Sequence, residues 1–372
     1  MAVAAPGPSS SVGPLAWMRS NLFNGIGNSL ITIVLIALLA YLLPSLFSWA
    51  VGEAVLTLKP SQDSWWGYEF APDAAACRTA AGACWDFIVE KFQVFVFGLY
   101  PQDELWRPTV MMLLLFVMIG ITVNSRFWGR PLLVGWLIAV AVMFILMQGG
   151  ILGLSFVETS RWGGLPVTLI IAVTGIIFSF PLAILLALGR RSDLPIIKTI
   201  CIVFIEVIRG VPLITILFMA SLMIPLFLPE GVNFNKLLRA LVGFTLFSAA
   251  YVAEVIRGGL QALPKGQFEA ADAMGMSYWQ KTSLIILPQA LKLVIPPVMN
   301  TFIGLFKDTT LIIIISMFDF LGAVRLASND TVWRPFYVEG LVFASIIYFI
   351  MCYAMASYSR HLEHKLDTGH RS

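Results

Sequence analysis

The feature that most restricts what this chain can become is a series of apolar runs, each about long enough to enter or cross a lipid bilayer. The first, Leu30–Phe47, carries no charged residue and is about the length that traverses ~30 Å of hydrocarbon. Others fall at Val110–Val123, Leu132–Met147, Leu165–Leu188, Val211–Leu228, Leu237–Val252 and Gly340–Ser357, with one more beginning after Pro288. Backbone groups in hydrocarbon have no water to pair with, so such runs must be helical. Composition agrees: 59% of the 372 residues are hydrophobic and 12% charged, against about 25% charged in a soluble domain. The chain reads as an all-α membrane protein with about eight transmembrane helices.

Several chemistries are excluded by what is missing. No glycine is followed by lysine, so there is no phosphate-binding P-loop, and neither HExxH nor a two-cysteine metal spacing occurs. The three histidines, His361, His364 and His370, lie in the polar tail without acids or thiols arranged around them. No catalytic residue, metal or cofactor is expected. A net charge of +3 is too small to argue for nucleic acid. Cys201 and Cys352 sit in apolar runs, as buried free thiols do. Cys77 and Cys84 bracket the stretch CRTAAGAC. They either close a small disulfide loop, if that region is extracytoplasmic, or stand as two unpaired thiols.

Along the chain, residues 1–29 form a small, polar tail and 30–164 a three-helix extension. Within it, 51–108 is a long loop with eight acidic and four basic residues and with Trp65, Trp66, Trp85 and Trp106 placed for an interface or small lid. Residues 165–360 hold the remaining helices and 361–372 a basic tail. The stretch Ile196–Leu228 is too long for one straight span and is interrupted by Gly210 and Pro212. It reads as an interfacial or tilted segment to Arg209 followed by a span. Basic residues mark the cytoplasmic side. Arg126 and Arg130, then Arg190, Arg191 and Lys198, then Arg257, Lys265, Lys281 and Lys292 fall on one side of an eight-helix count, with both termini. The acidic loop falls on the other.

One polar segment interrupts this pattern, EAADAMGMSYWQKTSLIILP at Glu269–Pro288. It suits a helix–turn–helix beside the bilayer. Ala270 and Ala271 allow close packing on a partner, Gly275 accepts the backbone of a tight turn, and Pro288 can open the next helix. Its Glu269, Ala270, Ala271, Gly275, Ile285, Leu287 and Pro288 match the EAA signature of permease subunits of ABC-type importers at all seven specified positions. From about 160 to 360 the chain resembles the polar amino acid branch of that family, through EVIRGVPL (Glu206–Leu213), AYVAEVIRGGLQALPKGQFEAADAMGMS and LFKDTTL (Leu305–Leu311). Val211 departs from the threonine usual in the family, which leaves the lining of the path open. The extension and outer loop resemble the larger, M-type permease of general L-amino-acid importers.

The resemblance implies a five-helix (MetI-like) permease core carrying a cytoplasmic coupling segment, 257–288, that docks on an ABC ATPase dimer. It also implies a second permease subunit, favoured as a paralogue, a periplasmic amino-acid-binding protein, an L-amino acid substrate and a bacterial inner membrane. ATP would be bound by the partner. Lys307, Asp308, Thr309 and Thr310, read as a break in the seventh helix, either line the substrate path or form a structural cluster that holds the broken helix, and Glu206 and Arg209 are either a further gate or contact or a structural ion pair at the bilayer edge. Glu206/Arg209 and Glu254/Arg257 are each spaced to pair along a helix. An ion-coupled secondary amino acid transporter would instead need coupling carboxylates within the membrane. The acids in the spans, Glu206 and Asp308, already fit the permease motifs.

Overall fold

A computed structural model describes residues 13–60, 68–227, 229 and 234–366. Trp65, Trp66 and the end of the basic tail with His370 lie outside them. The chain divides into two compact units, one ending at Val89 and one starting at Glu90.

In the first unit the apolar helix Ile26–Phe47 runs into a π turn at Ser48–Gly52. Beyond that turn lies an ordered part of the expected long loop. Leu58–Pro60 pairs antiparallel with Tyr68–Phe70, and a short helix, Ala74–Thr79, is capped by the Asp73 carboxylate, which accepts from the Ala75 and Ala76 amides. The buried Asp86 carboxylate ties these pieces together. It accepts from the Thr57 amide (2.7 Å), the Thr57 hydroxyl (2.6 Å) and the Asp73 amide (3.0 Å). The Trp85 indole donates to the Ala50 carbonyl at 2.8 Å. Cys77 and Cys84 are joined, with Cα atoms 5.3 Å apart. The long loop expected over 51–108 thus carries short elements of its own. The helix Asp86–Phe97 comes next, and the following membrane helix already begins at Trp106.

Among the described residues, seven helices are long and apolar enough to cross a membrane, or eight where a bent pair is counted as one span. The pair, Pro195–Gly210 and Leu213–Phe227, turns through 103°. Pro212 has no N–H to give a helix and drives its predecessor out of the helical region, so Val211 is extended (φ −108°, ψ 132°). In the second unit Gly164–Arg190 and Lys236–Ala262 form the buried centre. Lys236–Ala262 meets Leu287–Asp308 closely at Gly259, where a Cβ would lie 2.3 Å from Val294 Cγ1 and 2.9 Å from the Ala290 carbonyl. Small residues bring membrane helices together in this way, since lipid supplies no hydrophobic drive between them.

Two expectations about the seventh membrane helix are corrected. It starts at Tyr278, not after Pro288, and is helical through to Ile315. Pro288 sits inside it because the preceding turns, Lys281–Ile286, widen to π geometry. A proline ring clashes with the carbonyl four residues back, and the extra residue in the turn relieves that clash. Nor does the helix break at 307–310: it passes from α at Asp308 to 3₁₀ over Thr309–Ile315. The Thr309 hydroxyl donates back to the Phe306 carbonyl (2.8 Å), supplying the partner an interrupted helix would otherwise lack. The turn ends at Ser316, in the left-handed region at φ 58°.

Beyond it, Phe318 and Asp319 bridge to Gly163 and Gly164. The buried Asp319 caps Phe320–Ala327, accepts from the Tyr348 hydroxyl at 2.8 Å, and lies beside the Phe320 amide, which donates to the Thr168 hydroxyl. This polar knot joins three helices. Lys91 reaches Asp330 at 2.7 Å and holds that carboxyl below the usual range through their hydrogen bond.

Candidate coupling site and transport path

The candidate coupling segment is a helical hairpin whose tip is built by backbone rules. Lys265–Ala273 ends as the Gly275 amide donates to the Asp272 carbonyl (2.9 Å) and the Met276 amide to the Ala271 carbonyl (3.2 Å). That double closure needs a left-handed residue, and Gly275 supplies it at φ 69°. Ser277 then starts the next helix through a capping box: its hydroxyl accepts from the Gln280 amide, and Gln280 Oε1 accepts from the Ser277 amide. Lys281 meets Asp272 at 2.5 Å across the turn, and Gln289 donates to Gln267 at 3.0 Å. Arg191 secures the base, donating to the Leu260 carbonyl (2.7 Å) with its guanidinium over the Phe268 ring.

Residue by residue, Glu269, Ala270, Gly275 and Pro288 are exposed, Ile285 and Leu287 half-buried, and Ala271 fully buried. The expectation that both alanines face a partner is corrected. Neighbours in a helix point about 100° apart, so Ala271 packs within the hairpin and only Ala270 is presented. Sequence reasoning also missed the apolar groups on the tip. Met274 (68% exposed), Trp279 (67%) and Leu284 (68%) stand uncovered beside Tyr278. Their signal was available, as large apolar side chains in an otherwise polar interruption.

At the base of the hairpin lies a charge cluster. Arg190 contacts Glu206 and Glu254, each at 2.8 Å. Arg257 reaches Glu254 at 2.9 Å, and Arg209 reaches the same carboxylate at 3.6 Å. The Arg190–Glu254 contact is ionic without hydrogen-bond alignment, as Nη1 has no hydrogen-bond partner. Arg257 grips Glu254 through both Nε and Nη2. The spacing-based pair Glu254–Arg257 thus forms, whereas Glu206–Arg209 does not. Glu254 is far more enclosed than Glu206 (side-chain exposure 14% against 56%), so it draws Arg209 away from its own helix. Three helices, Gly164–Arg190, Pro195–Gly210 and Lys236–Ala262, are joined at this one carboxylate.

Glu206 and Arg209 make no hydrogen bond or ion pair with Lys307–Thr310 among the described residues. Lys307 is exposed, Asp308 and Thr310 half-buried, and Thr309 fully buried with its hydroxyl used internally.

This combination, a polytopic helical membrane unit with a polar hairpin leaving its buried central helices, is that of a transport permease. The family described as the binding-protein-dependent transport system inner membrane component matches residues 179–368. The chain is 48% identical over 370 residues to the inner membrane amino-acid ABC transporter permease protein YhdY of Escherichia coli K12, covering 98% of this chain and 96% of that protein. It is 37% identical to the glutamate/glutamine/aspartate/asparagine transport system permease protein BztC of Rhodobacter capsulatus, covering 100% and 98%. A match to the probable glutamine ABC transporter permease protein GlnP of Bacillus subtilis, at 31% identity, covers 54% of this chain but 91% of the relative. The chain belongs to the family of inner membrane components of binding-protein-dependent transport systems. It is a multi-pass inner membrane protein.

Proposed function

We propose that this chain is one of two permease subunits of an ATP-driven importer of L-amino acids. The observation that carries the reading is the hairpin tip at Gly275, where Met274, Trp279 and Leu284 stand exposed on a polar segment. Apolar side chains grouped on such a projection mark an interface. The partner is a cytoplasmic ABC ATPase dimer that binds and hydrolyses the ATP. Both termini lie on that side, in keeping with the basic residues around the hairpin. One chain has one hairpin, so a dimeric ATPase calls for a second permease, a paralogue on the resemblance to general L-amino-acid systems. A periplasmic binding protein delivers the substrate.

Movement of the ATPase reaches the membrane helices through the Glu254 cluster, which locks three helices just above the hairpin. The substrate path follows the face of the seventh membrane helix that carries Lys307 and Thr310. An exposed lysine on an apolar helix must face protein or water once in the membrane, and a two-permease interface enclosing a polar path supplies both. Co-purification tests the reading. A Met274→Ser, Trp279→Ser double variant still inserts in the membrane but no longer retains the ATPase; full retention would refute the assignment of the tip.

A further inference from the structure

The far end of the Lys236–Ala262 helix, about 40 Å from the hairpin at 1.5 Å per residue, opens on a cavity that takes no part in coupling. Its volume is about 420 Å³, within the range of small-molecule sites. Its lining includes Glu158 from the turn before Thr159–Arg161 and Lys236 and Arg239 from the helix, with Asn235 and Ser316. The walls are held in register. The buried Thr159 hydroxyl donates to Asn235 Oδ1 at 2.7 Å, and the same oxygen accepts from the Leu237 amide at 3.0 Å, so the helix cap is also the tie to the Glu158 loop.

The polar groups here are left partly unused. Glu158 and Lys236 have no ion-pair partner among the described residues. Arg239 donates through Nη1 to the Ser221 carbonyl, but its Nε is buried without a hydrogen-bond partner. Glu158 and Lys236 are exposed and Arg239 half-buried, so charges of both signs are available to a bound group. A cavity lined by cations from one element and a carboxylate from another matches a small ligand that carries both charges.

We propose that this cavity receives the zwitterionic head of an α-amino acid, its carboxylate toward Lys236 and Arg239 and its ammonium toward Glu158. The proposal rests on the amino acid importer reading, which gives the substrate class and puts this end of the helix outside. The side chain of the substrate points to the open mouth, so recognition is of the common head and serves amino acids of differing side chain.

Ser160, exposed beside the cavity, gives the test. In the assembled transporter in lipid nanodiscs, without binding protein, Ser160→Cys is labelled with a membrane-impermeant maleimide, counted as the increment over protein lacking the substitution. L-Glutamine, L-glutamate and L-lysine are each expected to slow labelling several-fold. Glutaramate, which lacks the α-ammonium of glutamine, and 4-aminobutanamide, which lacks its carboxylate, are expected to protect about tenfold less well, as the loss of one charge-assisted hydrogen bond implies. In a Glu158→Gln background glutaramate and glutamine then protect alike, while Lys236→Gln weakens protection by glutamine. Labelling untouched by all three amino acids, or slowed equally by glutamine and both analogues, overturns the proposal. Amino acid uptake by the unsubstituted transporter separates the two levels: uptake without protection removes only this site, and absence of both removes the importer reading with it.

Discussion

Gly275 permits a prediction worked from its backbone. Its φ of 69° is in the left-handed region, and a Cβ built there meets nothing within 4 Å. Replacement by alanine therefore introduces no clash inside this chain. What it introduces is the conformational cost of a side chain in left-handed geometry, about 1–2 kcal/mol. That is small beside the roughly 5–15 kcal/mol that holds a typical domain together, so the membrane unit stays folded. It is large for one turn, and amounts to a factor of about 5–30 in the population of the closed tip. If ATPase binding requires that tip, affinity falls by up to the same factor. Asparagine, which tolerates left-handed geometry, should retain most of the affinity; valine, β-branched and stiff, should do worse than alanine. The assay is titration of the ATPase against purified permease in nanodiscs, with ATP-driven uptake measured on the same variants. Wild-type affinity for alanine and valine would refute the need for this turn. An asparagine variant as poor as valine would show that the loss comes from side-chain bulk at the partner surface instead.

Three further outcomes are expected from the geometry. Glu254→Gln leaves Arg190, Arg209 and Arg257 facing one another, so it should destabilise the protein by about 3 kcal/mol, the scale for breaking an enclosed ion pair; a denaturant midpoint equal to wild type would contradict the cluster. Thiol reagents applied to the intact protein should leave Cys77 and Cys84 unlabelled until a reductant is added, and prompt labelling of both would rule the bridge out. Thr309→Val should cost about 0.5–1.5 kcal/mol of stability for its lost hydrogen bond and leave substrate preference alone, whereas Thr310→Val should alter uptake; unchanged uptake of every amino acid by the Thr310 variant removes it from the path.

The membrane class and the number of spans were legible because bilayer thickness converts directly into lengths of apolar sequence, and the hairpin because polar residues cannot be left in hydrocarbon. The bend at Val211 was legible too, since proline acts on its immediate neighbour. These are local constraints, decided by a residue and its near surroundings. The corrections share the opposite character. Arg209 leaves Glu206 for Glu254 because a carboxylate on another helix is better enclosed, which no spacing along one helix reports. Ala271 turns inward where its identical neighbour Ala270 turns out, and only the packing of the hairpin distinguishes them. Pro288 sits inside a helix because six preceding residues widen their turns, and Thr309 heals with its own hydroxyl a break that the charges beside it suggested. Sequence by itself determined which segments enter the membrane and where the chain must turn. Only the tertiary structure decided which charges meet, because Coulomb energy depends on distance and enclosure, and both are set by helices that come together from distant parts of the chain.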